Sequence, residues 1–151
     1  MTLPNSQPDD LPEVERFAEA WDAFVLAIRR AQARGQSADD LTLAQYYLLR
    51  PLENERGVAL SRLAECAGIA PPTATRIIDG LEKGGLVRRE RSQSDRRAVL
   101  VSLTPAGRRR VTGKRSELAD RRRRLYENLE PEERRHSERL LRHLAELIGQ
   151  L

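Results

Sequence analysis

Leu60-Ser61-Arg62-Leu63-Ala64-Glu65-Cys66-Ala67-Gly68-Ile69-Ala70-Pro71-Pro72-Thr73-Ala74-Thr75-Arg76-Ile77-Ile78-Asp79-Gly80-Leu81-Glu82-Lys83-Gly84-Gly85-Leu86 is the stretch that decides the fold. Ser61 caps or opens a short helix whose inner side is Leu63, Ala64 and Ala67, with Cys66 as a further small core residue. Gly68 ends that helix, because glycine accepts the left-handed conformation that closes a helix at little cost. Pro71 and Pro72 start a second helix, since the first-turn amides are unpaired in any case. Ile77, Ile78 and Leu81 anchor it to a core, and Gly84-Gly85 terminate it. Leu86–Arg91 and Ala98–Leu103 then alternate as strands, with Ser92-Gln93-Ser94-Asp95-Arg96-Arg97 at their turn. Two short helices followed by a basic hairpin form a winged helix-turn-helix, a shape that reaches two grooves of a DNA duplex.

The surrounding sequence supplies long helices. Residues 1–10 are polar, with Pro4 and Pro8, and form a loose tail. Val14, Phe17, Ala18, Trp21, Phe24, Val25 and Ile28 recur at steps of three and four, giving one apolar stripe on a helix to about Ala33. Gly35-Gln36-Ser37 ends it. Thr42 is the N-cap of a helix from Leu43 to about Glu53, which Pro51 shortens or kinks. Residues 58–60 are a short extended piece. Thr104-Pro105 opens a long helix to about Asn128, with Val111, Leu118, Leu125 and Leu129 on its buried edge. Pro131-Glu132-Glu133 opens the last helix, where Leu140, Leu141, Leu144, Leu147, Ile148 and Leu151 form the apolar side.

The expected class is therefore mainly α with a small β-hairpin wing (α+β). Residues 41–104 form the winged helix-turn-helix, and residues 11–34 and 105–151 form a helical dimerisation region. A winged core uses only part of the apolar surface these terminal helices carry. The remainder is best buried against a second copy, and a two-fold dimer presents two recognition helices roughly 34–36 Å apart.

Charge supports the same reading. A third of the 151 residues are charged and the net charge is +4. Residues 1–56 hold six arginines against ten acids, whereas residues 57–151 hold 21 lysines and arginines against 13 acids. A polyanion meeting the second part explains that asymmetry; a soluble arginine-rich surface is the alternative. One cysteine, no basic and apolar leader, and no apolar run of about 18 residues point to a cytoplasmic protein without a membrane span. No phosphate loop, nucleophile elbow or metal-protease helix is present, so an enzyme is not expected and no cofactor is implied. His136 and His143 are seven apart, too far along a helix for simple chelation, and no metal is expected.

The residues placed against DNA are Pro71, Pro72, Thr73, Thr75 and Arg76 at the start of the second helix, and Asp95, Arg96 and Arg97 at the hairpin tip. An arginine near a recognition helix N-terminus contacts guanine bidentately, and the amides following the prolines are available to phosphate. An arginine at the tip gains from the negative potential of a narrow minor groove, with Asp95 aiming it. A solvated turn of the same composition is the other reading of the tip.

Leu41-Thr42-Leu43-Ala44-Gln45, Leu60-Ser61-Arg62-Leu63-Ala64, Thr75 to Val87, and Asp95-Arg96-Arg97 followed by Leu103-Thr104-Pro105-Ala106-Gly107 together resemble the MarR (multiple antibiotic resistance regulator) family. The resemblance is close from Thr42 to Gly107 and extends in layout to the flanking helices. It implies a homodimeric regulator of transcription that binds palindromic double-stranded DNA, usually as a repressor, and is often released by a small ligand. It also implies that Arg97 enters the minor groove with Asp95 orienting it. In the family the ligand lies between the winged module and the dimer helices. Trp21, Phe24, Tyr46 and Tyr47 are the aromatic residues expected there, for an effector that is aromatic or otherwise lipophilic; core packing is the alternative role of each. Gly80 departs from the charged or polar residue usual in the family. A non-specific architectural DNA binder and a thiol-based redox sensor acting through Cys66 are the competing functions.

Overall fold

The computed structural model describes residues 12–34, 40–91 and 98–150. The expected tail, the Gly35-Gln36-Ser37 helix stop, the hairpin tip and Leu151 lie outside them. Six helices and a three-stranded antiparallel sheet make up the described residues. They are α1 (Glu13–Arg34), α2 (Leu43–Leu49), β1 (Val58–Ala59), α3 (Leu60–Ala67), α4 (Pro71–Lys83), β2 (Val87–Arg91), β3 (Val99–Leu103), α5 (Pro105–Glu127) and α6 (Pro131–Ile148).

Local chemistry accounts for the boundaries. Thr42 Oγ1 accepts from the Gln45 amide at 3.1 Å and Gln45 Oε1 accepts from the Thr42 amide at 2.8 Å. This reciprocal pair satisfies two amides that the start of α2 otherwise leaves open. Pro51 has no amide to continue the α-helical ladder, so the chain tightens into a 3₁₀ turn at Arg50–Glu53. Gly68 closes α3 in the left-handed region at φ 63°. α3 itself begins at Leu60 with Ala59 at the N-cap and no side-chain cap, so Ser61 neither caps nor opens it. Its start is fixed instead by β1, which runs directly into the helix.

β3 is the central strand, in the order β1-β3-β2. Val87 pairs with Leu103 and Arg91 with Val99 on one side, and Val58 pairs with Val101 on the other. The short extended piece after Gly57 is thus a third strand. The core lies between this sheet and α2 to α5. Leu48, Leu49, Leu52, Leu63, Ile78, Val101 and Val111 are its largest fully buried side chains. Full burial of each contributes roughly 1.5–3 kcal/mol before chain entropy is counted.

The base of the wing is tied to α5 by one residue. Thr104 Oγ1 caps α5 by accepting from the Gly107 amide at 3.0 Å, and donates to the Gly85 carbonyl at 2.7 Å. The Thr104 amide donates to the Leu86 carbonyl at 3.1 Å. Gly107 is buried at this crossing, and a Cβ there would lie 1.9 Å from the Leu86 oxygen. Only glycine fits so close a backbone approach.

Outside the core the picture changes. α6 has no buried residue, and Leu140, Leu141, Leu147 and Ile148 are exposed. On α1, Val14, Phe17, Phe24 and Ile28 are exposed as well. Leu125, expected on the buried edge of α5, is 67% exposed, because α5 outruns the winged core beyond Leu118. Cys66 is also exposed rather than a core residue. It falls at the solvent-facing edge of α3, outside the stripe that buries Leu63 and Ala64.

Candidate nucleic-acid interface

α4 buries Ala74, Ile78 and Leu81 and turns the opposite face outward. Pro71, Pro72, Thr73, Thr75, Arg76 and Gly80 are all exposed on it. Thr73, Arg76 and Gly80 are spaced at three and seven residues, so they share one stripe. Arg76 makes no hydrogen bond or ion pair among the described residues, and its guanidinium stands free for a ligand. Gly80 has open space where a Cβ would stand, which leaves bare backbone one turn beyond Arg76.

Two details revise the expected chemistry of the helix start. The amides after the prolines are already occupied: Thr73 and Ala74 both donate to the Ala70 carbonyl, at 2.9 and 3.0 Å. With Pro71 and Pro72 lacking an amide, this N-terminus does not provide a ready phosphate cradle. Thr75 Oγ1 donates to the Pro71 carbonyl at 3.0 Å. Its hydroxyl proton is therefore engaged, and it faces outward with its methyl group and an acceptor oxygen. Thr75 also borders a cleft of about 270 Å³ with Ser61, Pro71 and Val99, between the helix pair and the wing.

A contact not anticipated from sequence fixes the wing against α4. Arg89 of β2 pairs with Asp79 through Nη2, and its Nε lies 3.4 Å from Glu82 Oε2. The Arg89 amide donates to Glu82 Oε1 at 3.1 Å. The signal was available. Val87 is buried, and strand periodicity puts Arg89 on the same inward face. Helical spacing puts Asp79 and Glu82 on one side of α4. Asp95, Arg96 and Arg97 belong to the tip and lie outside the described residues; β2 and β3 lead toward it from the Arg91–Val99 pair.

The aromatic residues divide into groups. Tyr46 is buried in the winged core, with Tyr47 edge-on at 5.4 Å and half in solvent. Tyr47 also accepts from Arg122 Nη2 at 3.3 Å. Trp21 stacks on Phe17 at 6.2 Å, and both border a cleft with Leu144, Leu147 and Ile148 of α6. Arg121 to Arg124 are exposed, with Arg121 paired to Glu117 and Arg123 to Asp120. Among the described residues, no group of three His, Cys, Asp or Glu is placed to hold a metal, and no helix is long and apolar enough to cross a membrane.

The fold as a whole matches a known group of proteins. The MarR family profile matches residues 41–99. The chain is 34% identical over 95 residues to the uncharacterized HTH-type transcriptional regulator YfiV of Bacillus subtilis, covering 63% of this chain and 59% of that protein. It is 30% identical over 112 residues to the regulator YhbI of the same organism, covering 74% and 68%. The chain belongs to the MarR family. Among solved structures, the transcriptional repressor CouR bound to a 23-mer DNA duplex superposes with a TM-score of 0.69 at 28% identity, covering 96% of this chain and 99% of that one. This MarR-family chain thus has the winged-helix fold of transcriptional regulators, not of an enzyme.

Proposed function

We propose that this MarR-family protein is a homodimeric DNA-binding repressor of a palindromic operator, relieved by a small molecule. The observation that carries the reading is the outward stripe of α4, on which an unpartnered Arg76 stands beside Thr73 and Thr75 on a helix clamped to the wing by Arg89. The DNA-bound state of CouR supports it. In this reading Arg76 contacts a base edge in the major groove, and Thr75 offers its methyl group and acceptor oxygen. Pro71 and Pro72 shape the approach of the helix, and Arg97, with Asp95 and Arg96, enters the minor groove. The exposed leucines of α6 and the apolar side of α1 supply the dimer contact. An aromatic or lipophilic effector sits between the core and the terminal helices, where Trp21, Phe24 and Tyr47 present ring surface; Tyr46 serves the core.

The test is fluorescence anisotropy on a duplex carrying the selected operator and on a scrambled one, across a salt series. Arg76→Ala is expected to lose about 1–3 kcal/mol on the operator and little on the scrambled duplex. An equal loss on both would favour the architectural reading, in which arginine acts on phosphate alone.

A further inference from the structure

Nothing in the fold requires the glycine at position 80. It sits inside α4, ahead of the helix end at Lys83, and it is exposed. A fold holds a glycine in place by a left-handed backbone or by a neighbour too close for a Cβ. Neither applies here. Gly80 is not among the residues of positive φ, and a Cβ built on it would meet nothing within 4 Å. Its carbonyl oxygen accepts from the Gly84 amide at 3.0 Å, so the missing side chain does not free that polar group for other use. What glycine supplies at this point is room, and the helix interior gives up stability to have it.

The room lies on the face that the DNA reading turns toward the duplex. Steps of three, four and three place Thr73, Arg76, Gly80 and Lys83 along one outward stripe, opposite buried Ala74, Ile78 and Leu81. All four residues of the stripe are exposed. Arg76 and Lys83 make no hydrogen bond or ion pair among the described residues, so unengaged cations flank the gap along the helix. The two acids of α4, Asp79 and Glu82, are drawn to Arg89 on the wing and leave the gap unfilled. At 1.5 Å per residue, Gly80 lies about 6 Å beyond Arg76 along the axis. A side chain there would stand between α4 and a wall of the groove, and would hold Arg76 away from the base edges.

We propose that Gly80 sets the depth at which α4 seats in the major groove. Its bare Cα packs directly against the sugar–phosphate wall, and Arg76 thereby reaches a base edge. Gly80 is a positioning residue in this arrangement: it carries no sequence information and acts on specificity through Arg76. Attraction to phosphate tolerates a slightly raised helix, whereas base readout fails once the donors stop short. An added methyl group therefore weakens selective binding and spares the non-selective kind. Gly80 has this role only if α4 enters the groove, so it rests on the DNA-binding reading above.

The experiment is fluorescence anisotropy of the full chain on a duplex enriched by selection with the parent chain and on a scrambled duplex, with thermal unfolding of each variant alongside. The variants are Gly80→Ala, Gly80→Leu and, as a control, Gly113→Ala. Gly113 is an exposed glycine inside α5 whose Cβ would also meet nothing within 4 Å, and it lies off the recognition helix. Gly80→Ala is expected to bind the enriched duplex about tenfold more weakly, and Gly80→Leu more weakly still, with binding to the scrambled duplex unchanged. Gly80→Ala and Gly113→Ala are both expected to unfold at a higher temperature than the parent, and Gly113→Ala to keep the parent's affinity for both duplexes. A gain in stability joined to a loss of selective binding separates a seat for DNA from a role in the fold. The proposal is overturned if Gly80→Ala binds the enriched duplex as tightly as the parent, loses equally on both duplexes or unfolds below the parent, or if Gly113→Ala loses as much. A parent chain without sequence preference overturns the DNA reading and this proposal together; a selective parent with an unaffected Gly80→Ala overturns this proposal alone.

Discussion

Replacing Gly107 by alanine probes the joint on which the wing hangs. The added Cβ would meet the Leu86 oxygen at 1.9 Å, the Leu86 carbonyl carbon at 2.9 Å and Leu103 Cδ2 at 3.3 Å. Two of these neighbours are backbone and cannot rotate aside. The start of α5 must retreat by about 1.1 Å merely to open the first contact to 3.0 Å. That retreat carries Thr104 beyond bonding distance of Leu86 and Gly85, now at 3.1 and 2.7 Å. Two hydrogen bonds at about 1 kcal/mol each are lost, and overpacking adds roughly 1–3 kcal/mol. Alanine returns up to about 1 kcal/mol of helix propensity. The net loss is about 2–4 kcal/mol, or roughly 4–16 °C in Tm for a chain of this size. Urea unfolding followed by circular dichroism, at one fixed protein concentration, measures it. A variant within about 0.5 kcal/mol of the parent would refute the close approach of Leu86 to α5.

Gly80→Ala should stabilise the fold by about 0.5–1 kcal/mol in the same unfolding assay, because its Cβ meets open space and alanine is the better helix former. Arg89→Ala should cost only about 1 kcal/mol, since Asp79 and Glu82 are nearly half exposed. Its larger effect is local: amide exchange in β2 should quicken while the buried core of α4 keeps its protection, as read by hydrogen–deuterium exchange. If the exposed leucines of α6 join two copies as proposed, Leu140→Glu with Leu147→Glu should turn a sedimenting dimer into a monomer, while the helical circular dichroism of the core persists.

Much of this fold is legible from residues whose physics is local. Thr42 with Gln45, Gly68, the Pro71-Pro72 pair and Thr104-Pro105 each mark a helix end, and each stands where the structure has one. The errors arise where tertiary contact decides. Cys66 has small apolar neighbours in sequence, but a helix of eight residues buries only one narrow side, and that side is taken by Leu63 and Ala64. Leu125 keeps the apolar step of α5 yet lies beyond the core it would have to touch. Val58-Ala59 is too short to declare itself as a strand; only pairing with β3 makes it one. Of the interface, the exposed face of α4 follows from periodicity. The engagement of the Thr73 and Ala74 amides and of the Thr75 hydroxyl does not, because composition says nothing of which backbone oxygen is nearest.

In the proposed complex, two copies of this chain place α4 in successive major grooves of one duplex. Selection from a random duplex library, followed by hydroxyl-radical footprinting of the enriched DNA, tests it most directly. The expected result is an inverted repeat whose two protected patches lie on one face of the helix, about 10 base pairs apart centre to centre. Enrichment of no sequence, or protection of a single unrepeated patch, would contradict it.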